Sequence, residues 1–378
     1  MKKALIVTTV SGFVPQFEMQ NVHILQDMGF EVHYAANYDM PSYGDDNSRL
    51  DGTGIVRHQV DFARSPYSRT NIKAYKQLLD LMSNIKFELV HCHTPMGGVL
   101  ARLAAHKTGT GPVIYTVHGF HFYKGAPLVN WLIYYPVERW LARYTDMLIT
   151  INEEDYRRAK RFKAKRVQRI HGVGIDTVVK NVMGEAEKGQ YRKKLGLVDD
   201  RIVLVSAGEL NDNKNQIMAL KALAKIRKMD YYYLICGKGP SRKKLERYAV
   251  DSGLREKVRF LGYRKDLSHI LQIADIFVMP SKREGLPTVV MEAMVHGLPV
   301  VATDIRGNNE LVVDNVNGYL IGLDDSVSFC KQLLVLMKNE KIRKKMGNKG
   351  KSKIMNYDNS VVKKVMKNNY AAILKGRY

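Results

Sequence analysis

Short apolar runs alternate with longer amphipathic segments along the whole chain, and this alternation is typical of a parallel β-sheet covered by helices. In the first half the pattern predicts buried strands at residues 4–9, 31–35, 89–91, 113–117, 147–151 and 167–170. Amphipathic helices fit between them, at about residues 15–28, 71–84, 97–107, 128–144 and 153–162. These elements predict a doubly wound α/β domain.

A break in the periodicity follows the stretch HGVGID at residues 171–176. Residues 181–190 are polar and contain glycine, so we predict a linker there. A second series of strands then follows, at residues 202–206, 231–236, 258–260, 276–279 and 300–302. Two such α/β domains are expected to face each other across a cleft at the carboxyl ends of their strands, where this class of fold binds ligands.

The composition fits a globular protein of two domains, because the 378 residues are 45% hydrophobic and 26% charged. Three widely spaced cysteines, Cys92, Cys236 and Cys330, indicate a reducing compartment and predict neither a structural disulfide nor a zinc site. The apolar run at residues 4–10 is short and no cleavage-site pattern follows it, so we interpret it as a strand. No stretch reaches the roughly 18 uncharged apolar residues of a membrane-spanning helix.

The net charge is +23 and is unevenly distributed, since residues 331–378 contain 14 Lys or Arg and 2 Asp or Glu. Such an excess favours anionic partners, whether nucleic acid, lipid headgroups or phosphorylated substrates. The basic run RRAKRFKAKR at residues 157–166 lacks the interleaved aromatics of a single-strand binder and matches no DNA-reading motif. We therefore interpret it as a solvated helix face and predict no nucleic-acid partner.

The segment SKREGLPTVVMEAMVHGLPVVAT at residues 281–303 places Glu292 inside an apolar helical run, where a buried charge requires a partner. Pro287 at the first helical position would leave the amides around Leu286 and Thr288 unpaired, and such a helix start binds phosphate. Glu284 and Glu292 would then accept hydrogen bonds from hydroxyl groups, which predicts a nucleotide-sugar site. The alternative is that Glu292 is a core glutamate paired with a local Lys or Arg.

Three other positions follow predicted strands and carry weaker signals. Lys214, in SAGELNDNKNQ at residues 206–216, is either a point-charge phosphate binder or a solvated surface lysine. The turn at residues 11–13 contains Gly12, where backbone could approach a diphosphate, and the absence of G-x-G-x-x-G weighs against a nicotinamide or flavin cofactor. His118, in HGFHF, either faces the cleft or has a capping or core role.

Together the stretches EGLPTVVMEAM, GELNDNKN, FLGYRKDL, TVHGFHF and GVGID resemble the retaining glycosyltransferases of family 4, most closely those of bacterial exopolysaccharide and capsule biosynthesis. The resemblance extends over essentially the whole chain in order, and it implies the GT-B fold of two Rossmann-like domains. It also implies an acceptor-side domain at residues 1–180, a nucleotide-sugar-binding domain at residues 181–355, and a helix at residues 356–378 that packs back toward the first domain.

The resemblance implies roles for individual residues. The candidate catalytic residues are Glu284 and His118, both near the donor sugar, and Lys214, which would neutralise the diphosphate. Tyr263 and Arg264 fall where the family holds the base, and Glu292 would hold the ribose. The full set of candidate donor-binding residues is Gly12, Gly208, Glu209, Lys214, Tyr263, Arg264, Gly285, Leu286, Pro287, Thr288 and Glu292.

One departure from the family pattern concerns the diphosphate. Glu209 stands beside Gly208, where the family usually carries an arginine. Because a glutamate repels phosphate, either Lys214 acts with Lys238 or Arg264, or Glu209 points at a hydroxyl or another side chain.

These features predict a metal-independent retaining transferase that moves a hexose or N-acetylhexosamine from a nucleotide diphosphate, by expectation UDP, to a lipid-linked saccharide. No Asp/His cluster with metal spacing stands out in the sequence, so no metal and no cofactor are expected. The alternatives are a nucleotide-sugar epimerase of the same fold, which would turn over donor without acceptor, and a non-enzymatic polyanion-binding protein.

The segment PLVNWLIYYPVERWLARY at residues 127–144 mixes Trp131, Trp140 and three tyrosines with Leu, Ile and Arg, as interfacial helices do. It predicts peripheral attachment to anionic lipid on the inner face of the cytoplasmic membrane. The alternative is a core helix whose aromatic side chains pack on the first sheet.

Overall fold

The computed structural model describes residues 1–42, 47–197 and 200–376, and the chain forms two compact units. Met1–Gly174 and Asn359–Tyr378 make up the first unit, and Ile175–Asp358 makes up the second. The chain therefore leaves the first unit after Gly174 and returns to it after Asp358. The sequence analysis predicts the corresponding domain boundaries after residues 180 and 355.

A seven-stranded parallel sheet lies at the centre of the first unit. Its strands are β1 (Lys2–Val10), β2 (Phe30–Asn37), β3 (Val56–Gln59), β4 (Leu89–His93), β5 (Val113–Val117), β6 (Met147–Thr150) and β7 (Arg166–Arg169). They pair in the order β3-β2-β1-β4-β5-β6-β7. The order reverses between β1 and β4, and Rossmann-like sheets bind ligands at such a point, beyond the carboxyl ends of the strands.

Helices connect the strands of the first unit. They are α1 (Met19–Asp27), α2 (Thr70–Asn84), α3 (Pro95–Thr108), α4 (Leu128–Leu141) and α5 (Glu153–Ala159). A π-helical turn, Val14–Glu18, directly precedes α1. Residues 4–10 of β1 are all buried, as expected of a strand with both faces covered.

The second unit repeats this architecture with six parallel strands. They are β8 (Ile202–Ala207), β9 (Tyr231–Cys236), β10 (Val258–Gly262), β11 (Ile276–Met279), β12 (Val300–Thr303) and β13 (Gly318–Ile321), in the order β10-β9-β8-β11-β12-β13. The helices are α6 (Glu185–Lys194), α7 (Gln216–Lys225), α8 (Arg242–Asp251), α9 (Leu267–Gln272), α10 (Thr288–Val295), α11 (Asn308–Leu311), α12 (Ser326–Lys338) and α13 (Glu340–Ile354). Here the strand order reverses between β8 and β11. The expectation of two Rossmann-like α/β domains is confirmed.

Helix α14 (Asn359–Lys375) follows α13 in the chain but belongs to the first unit. The buried Tyr370 hydroxyl lies 2.7 Å from Nδ1 of His91 on β4. At the other end of the helix, Gln20 Nε2 donates to the carbonyl of Asn359 at 2.6 Å. The expected return of the final helix to the first domain is therefore confirmed.

The structure differs from the sequence predictions at two strands and one helix. The sequence predicts no strand at β3, which is largely exposed and polar, and none at β13, although three of its four residues are buried. The linker predicted at residues 181–190 is wrong, since α6 occupies residues 185–194. This helix buries no side chain, so its sequence carries no apolar face that would reveal it.

Candidate active site

The loops that follow β8 and β11 meet in the second unit and bring two predicted catalytic residues together. Lys214 Nζ lies 2.8 Å from Oε1 of Glu284, and both side chains are mostly buried. The lysine stem crosses Gly208 so closely that a Cβ added there would lie 3.2 Å from Lys214 Cε. Lys214, Glu284 and Gly208 therefore belong to one site, although 70 residues separate the ion-paired side chains.

Asparagines hold this pair of loops in register. Asn213 Nδ2 donates to the carbonyl of Arg283 at 3.0 Å, and the Lys282 amide donates back to the carbonyl of Asn213 at 2.7 Å. Asn215, buried and in the left-handed conformation at φ 53°, donates through Nδ2 to the carbonyl of Pro280 at 3.2 Å. These bonds fix the backbone on both sides of Lys214, so its ammonium group is positioned by the fold.

Helix α10 begins with unpaired amides. Pro287 is the N-cap and Thr288 the first helical residue, which corrects the prediction that Pro287 occupies the first helical position. The Pro287 carbonyl accepts from the amides of Val290 and Met291, at 3.1 and 3.3 Å. In the described part of the chain, no backbone carbonyl or side chain accepts from the amides of Leu286 or Thr288. The helix start can therefore receive an anion.

Glu292 lies one turn into α10 without a partner. Among the described residues, none donates a hydrogen bond to its carboxylate and no cation pairs with it. Burial raises the pKa of this carboxyl group to about 7. The alternative of a core glutamate paired with a local Lys or Arg is therefore wrong, and the carboxylate is available to a ligand that donates hydrogen bonds.

The sequence analysis missed Arg306, which lies in the loop between β12 and α11. Its side chain is 7% exposed, and its Nε donates to the carbonyl of Glu284 at 3.4 Å. Gly307 follows with φ 88°, and a Cβ there would come within 2.7 Å of the carbonyl oxygen of Gly285. An Arg-Gly pair just beyond the carboxyl end of a central strand is a signal that could have identified this support for residues 284 and 285.

The remaining donor-site candidates differ in exposure and in the hydrogen bonds and ion pairs that they form with other residues. Arg264 is held by Asp266 at 2.8 and 2.7 Å and by the hydroxyl of Tyr191 at 3.2 Å. Tyr263 is 67% exposed. Glu209 and Lys238 are both exposed, and neither forms an ion pair with any described residue. Of the two proposed second cations, Lys238 is thus the one without an ion-pair partner in the described part of the chain.

Gly12, in the first unit, is covered by its own chain. Its amide donates to the carbonyl of Pro41 at 2.7 Å, and a Cβ added to Gly12 would lie 2.0 Å from the carbonyl oxygen of Ser42. Glycine is needed at this position because backbone approaches it. The approaching segment is residues 41–42, so the Gly12 amide is not available to a diphosphate in this structure.

His118 lies in a cluster that the sequence analysis did not identify. Its Nε2 is 3.2 Å from Oε1 of Glu18 and 3.2 Å from Nδ1 of His93, and the same Glu18 oxygen is 3.5 Å from His93 Nδ1. Glu18 and His93 are buried, and burial lowers the pKa of His93 well below its usual range. The three residues come from a helical turn and two strand ends, 25 or more positions apart, so no local motif reveals them.

An apolar cavity of about 400 Å³ lies beside His118 in the first unit. Phe13, Val99, Phe120, Ile133 and Tyr134 contribute apolar surface to it. Its one carboxylate, Glu138, is already bound by Arg102 NH2 at 2.8 Å and by the Tyr115 hydroxyl at 3.1 Å.

Helix α4 packs some of its aromatic side chains against the first unit and exposes some of its apolar side chains. Trp131 is half-buried and packs against Phe122 with ring centroids 5.6 Å apart, as the core-helix alternative expects for this side chain. Leu128, Leu132 and Trp140 are instead 80%, 76% and 42% exposed. None of the helices in the described part of the chain is both long and apolar enough to span a membrane.

Comparison with known proteins agrees with this architecture. Residues 187–353 match the family model of group 1 glycosyl transferases, and residues 4–152 match the glycosyl transferase 4-like model. The protein EpsD of Bacillus subtilis (strain 168), whose name assigns it to the glycosyltransferases, is 37% identical over 381 residues, covering 99% of this chain and 97% of EpsD. The chain belongs to the family 4 glycosyltransferases of the GT-B fold.

Other family members extend the comparison. An Escherichia coli enzyme named UDP-Gal:α-D-GlcNAc-diphosphoundecaprenol α-1,3-galactosyltransferase is 29% identical, with 96% of this chain and 93% of that enzyme covered. The crystal structure of HepE from Anabaena in complex with UDP superposes with a TM-score of 0.80 at 18% identity, covering 98% of this chain and all of HepE. The latter likeness shows the fold alone. The individual roles of the site residues stay predictions.

Proposed function

We propose that this glycosyltransferase moves a hexose or N-acetylhexosamine from a UDP-sugar to a lipid-linked saccharide in exopolysaccharide or capsule biosynthesis, with retention of the anomeric configuration. The observation that carries the proposal is the unpaired Glu292 carboxylate, one helical turn beyond the free amides at the start of α10. A ligand with both vicinal hydroxyl groups and a diphosphate satisfies these two features together.

Each side chain of the site has a part in this transfer. Glu292 accepts hydrogen bonds from the ribose hydroxyls, and the amides around Thr288 receive the diphosphate. The departing nucleoside diphosphate gains negative charge in the transition state, and the Lys214 ammonium stabilises that charge. Glu284 keeps Lys214 in place at 2.8 Å and accepts a hydrogen bond from the donor sugar. The likeness to family 4 also gives His118 a contact with the donor sugar.

Retention fits attack on the face from which the diphosphate departs. The acceptor oxygen then forms its bond to the anomeric carbon as the bond to the phosphate breaks, and the leaving phosphate takes the acceptor proton. No side chain has to serve as a general base in this scheme. The transfer step therefore depends strongly on Lys214, because its ammonium group neutralises the phosphate that both leaves and takes the proton.

The donor and acceptor classes are supported by the relatives. The Escherichia coli relative is named for UDP-Gal and for a diphosphoundecaprenol acceptor, and HepE was crystallised with UDP. The apolar cavity of about 400 Å³ beside His118 offers a surface for the lipid-proximal part of such an acceptor. The test is transfer from a panel of radiolabelled UDP-sugars to undecaprenyl-diphosphate saccharides, with product linkage determined by NMR. Consumption of donor without acceptor would instead indicate an epimerase.

We expect UDP to raise the melting temperature and transfer to continue in excess EDTA. The positive charge of Lys214 and the amides at the start of α10 replace a divalent cation on the diphosphate. Differential scanning fluorimetry and a transfer assay, each with and without EDTA, measure these two effects. Strict dependence of turnover on Mg²⁺ or Mn²⁺ would contradict the proposal.

We further propose that the enzyme is held peripherally on the inner face of the cytoplasmic membrane through the exposed apolar side of α4. Leu128, Leu132 and Trp140 supply the apolar contact. Exposed basic residues on the same unit, such as Lys163, add about 1 kcal/mol each near an anionic leaflet.

Binding to vesicles is expected to require anionic lipid and to weaken with salt. The double substitution Leu128→Ser and Leu132→Ser should lower it at least about 10-fold, because two leucines lose their apolar burial. The matched control is Val178→Ser with Val182→Ser, which changes two side chains of similar exposure in the second unit. Co-sedimentation measures the effect, and equal loss in both double variants would refute the role of α4.

A further inference from the structure

Three potential metal ligands converge in the cluster of Glu18, His93 and His118. The carboxylate oxygen Oε1, imidazole Nδ1 and imidazole Nε2 lie 3.2, 3.2 and 3.5 Å from one another. In a tetrahedral zinc site with bonds of about 2.0–2.1 Å, neighbouring ligand atoms are separated by about 3.3 Å. The triangle therefore has the dimensions of one face of a zinc coordination sphere.

Hydrogen bonding accounts for one edge of this triangle. The two imidazole nitrogens meet hydrogen-bond geometry at 3.2 Å, whereas the carboxylate oxygen approaches both rings, at 3.2 and 3.5 Å, without forming a hydrogen bond to either. Nε2 of His93 is buried and has no partner among the described residues, so this ring gains no compensating bond on its far side. A cation at the centre of the triangle contacts all three electron-rich atoms at once.

Neighbouring side chains hold these three residues in place. Asn21 Nδ2 donates to Oε2 of Glu18, which leaves Oε1 facing the histidines. The His91 ring packs on His93 with centroids 4.1 Å apart, and the Phe13 ring meets the edge of His118 at 4.9 Å. The ligand atoms are thus oriented before a metal arrives.

The only solvent access among the three ligands is through His118. Its side chain is 21% exposed, whereas those of Glu18 and His93 are 2% and 0% exposed. Three protein ligands with a fourth position left for water are the arrangement of open zinc sites, in contrast to closed structural ones. Glu18 also ends the π-helical turn that precedes α1, and such turns occur frequently at functional sites.

We propose that Glu18, His93 and His118 form a binding site for one divalent transition-metal ion, with Zn²⁺ as the ion that fits two imidazoles and a carboxylate. The bound ion is coordinated by Nε2 of His118, so this nitrogen cannot contact a sugar at the same time. If His118 contacts the donor sugar, as the proposed function states, then Zn²⁺ inhibits transfer and EDTA relieves the inhibition. Metal binding itself does not depend on that function.

The test uses the full chain, stripped with EDTA and then desalted. Elemental analysis after incubation with Zn²⁺ is expected to find one ion per chain, and Co²⁺ is expected to give the visible absorption bands of a four-coordinate ion. Glu18→Gln and His118→Asn should each lower the affinity at least about 10-fold. Glu18→Gln preserves the shape of the side chain and the acceptor for Asn21, so it separates loss of charge from loss of folding.

Two histidine variants serve as controls. His23→Asn removes an exposed histidine from α1, and His58→Asn removes the partner of His33 in the other histidine pair of this unit. Both should bind Zn²⁺ like the unmodified protein. The proposal is overturned if the stripped protein takes up no Zn²⁺ and gives no cobalt bands, or if Glu18→Gln and His118→Asn bind Zn²⁺ as tightly as the controls. Transfer measured in parallel shows separately whether the transferase proposal holds.

Discussion

Replacing Lys214 by methionine is expected to lower kcat of sugar transfer by about 10²- to 10³-fold, the loss seen when one preorganised group that stabilises transition-state charge is removed. Methionine keeps the length of the side chain that crosses Gly208 but removes the ammonium group 2.8 Å from Glu284. The charge on the leaving diphosphate then loses its ion-paired lysine and meets the amides of α10 and any second cation such as Lys238. Steady-state kinetics with a saturating donor measure the effect.

The control for this variant is Lys221→Met, which removes an exposed lysine from α7 without touching the ion pair. Its kcat should equal that of the unmodified enzyme. Lys238→Met tests the second cation, because Lys238 is exposed and unpaired in the described structure. If the transfer rate of Lys214→Met lay within about 3-fold of the Lys221→Met rate, Lys214 would not stabilise the charge of the transition state.

Glu292→Gln is expected to stabilise the free protein near and above neutral pH. Burial raises the pKa of the Glu292 carboxyl group from 4.5 to about 7, so the folded state holds a proton that the unfolded state has lost. The free energy of unfolding therefore falls as pH rises from about 4.5 to about 7, and the full penalty of about 3 kcal/mol remains above that range. Glutamine carries no such penalty, so urea unfolding should show the gain near pH 8 and none near pH 4.

The same substitution should weaken UDP binding, because the ribose loses a charged hydrogen-bond acceptor. The expected cost is about 1.5–3 kcal/mol, or roughly 10- to 150-fold in Kd, measured by isothermal titration calorimetry. Glu256→Gln, at an exposed position in the second unit, should change neither stability nor affinity. Unchanged UDP affinity in Glu292→Gln would rule out the ribose role even if the gain in stability were observed.

The sequence predicts the strands of both Rossmann-like sheets that are continuous apolar runs, except the short β13. It fails at β3, whose residues Val56–Gln59 form a largely exposed edge strand, because a strand without a buried face leaves no hydrophobic pattern. It fails at α6 for the same reason, since a helix with no buried side chain has the composition of a linker. These are elements specified by backbone hydrogen bonds and not by burial.

The site is predictable only where its residues are neighbours in sequence. Glu284, Thr288 and Glu292 lie on one loop and helix, so their spacing alone indicates a ligand that is anionic at one point and hydroxylated at another. The ion pair between Glu284 and Lys214, and the meeting of Glu18 with His93 and His118, depend on which strand ends lie side by side. That information resides in the strand order and becomes visible only in the folded sheet.

The position of helix α14 in the first unit has a consequence for how the chain folds while it is being translated. During translation every residue of the second unit is added before α14 is made, whereas the first unit at that point still lacks the helix whose Tyr370 closes over His91. Domains generally fold in the order in which they are synthesised, but here the earlier one finishes later. Until α14 is made, the first unit has all seven strands of its sheet but lacks the helix that covers His91, and this uncovered side is where a nascent-chain chaperone has most to protect.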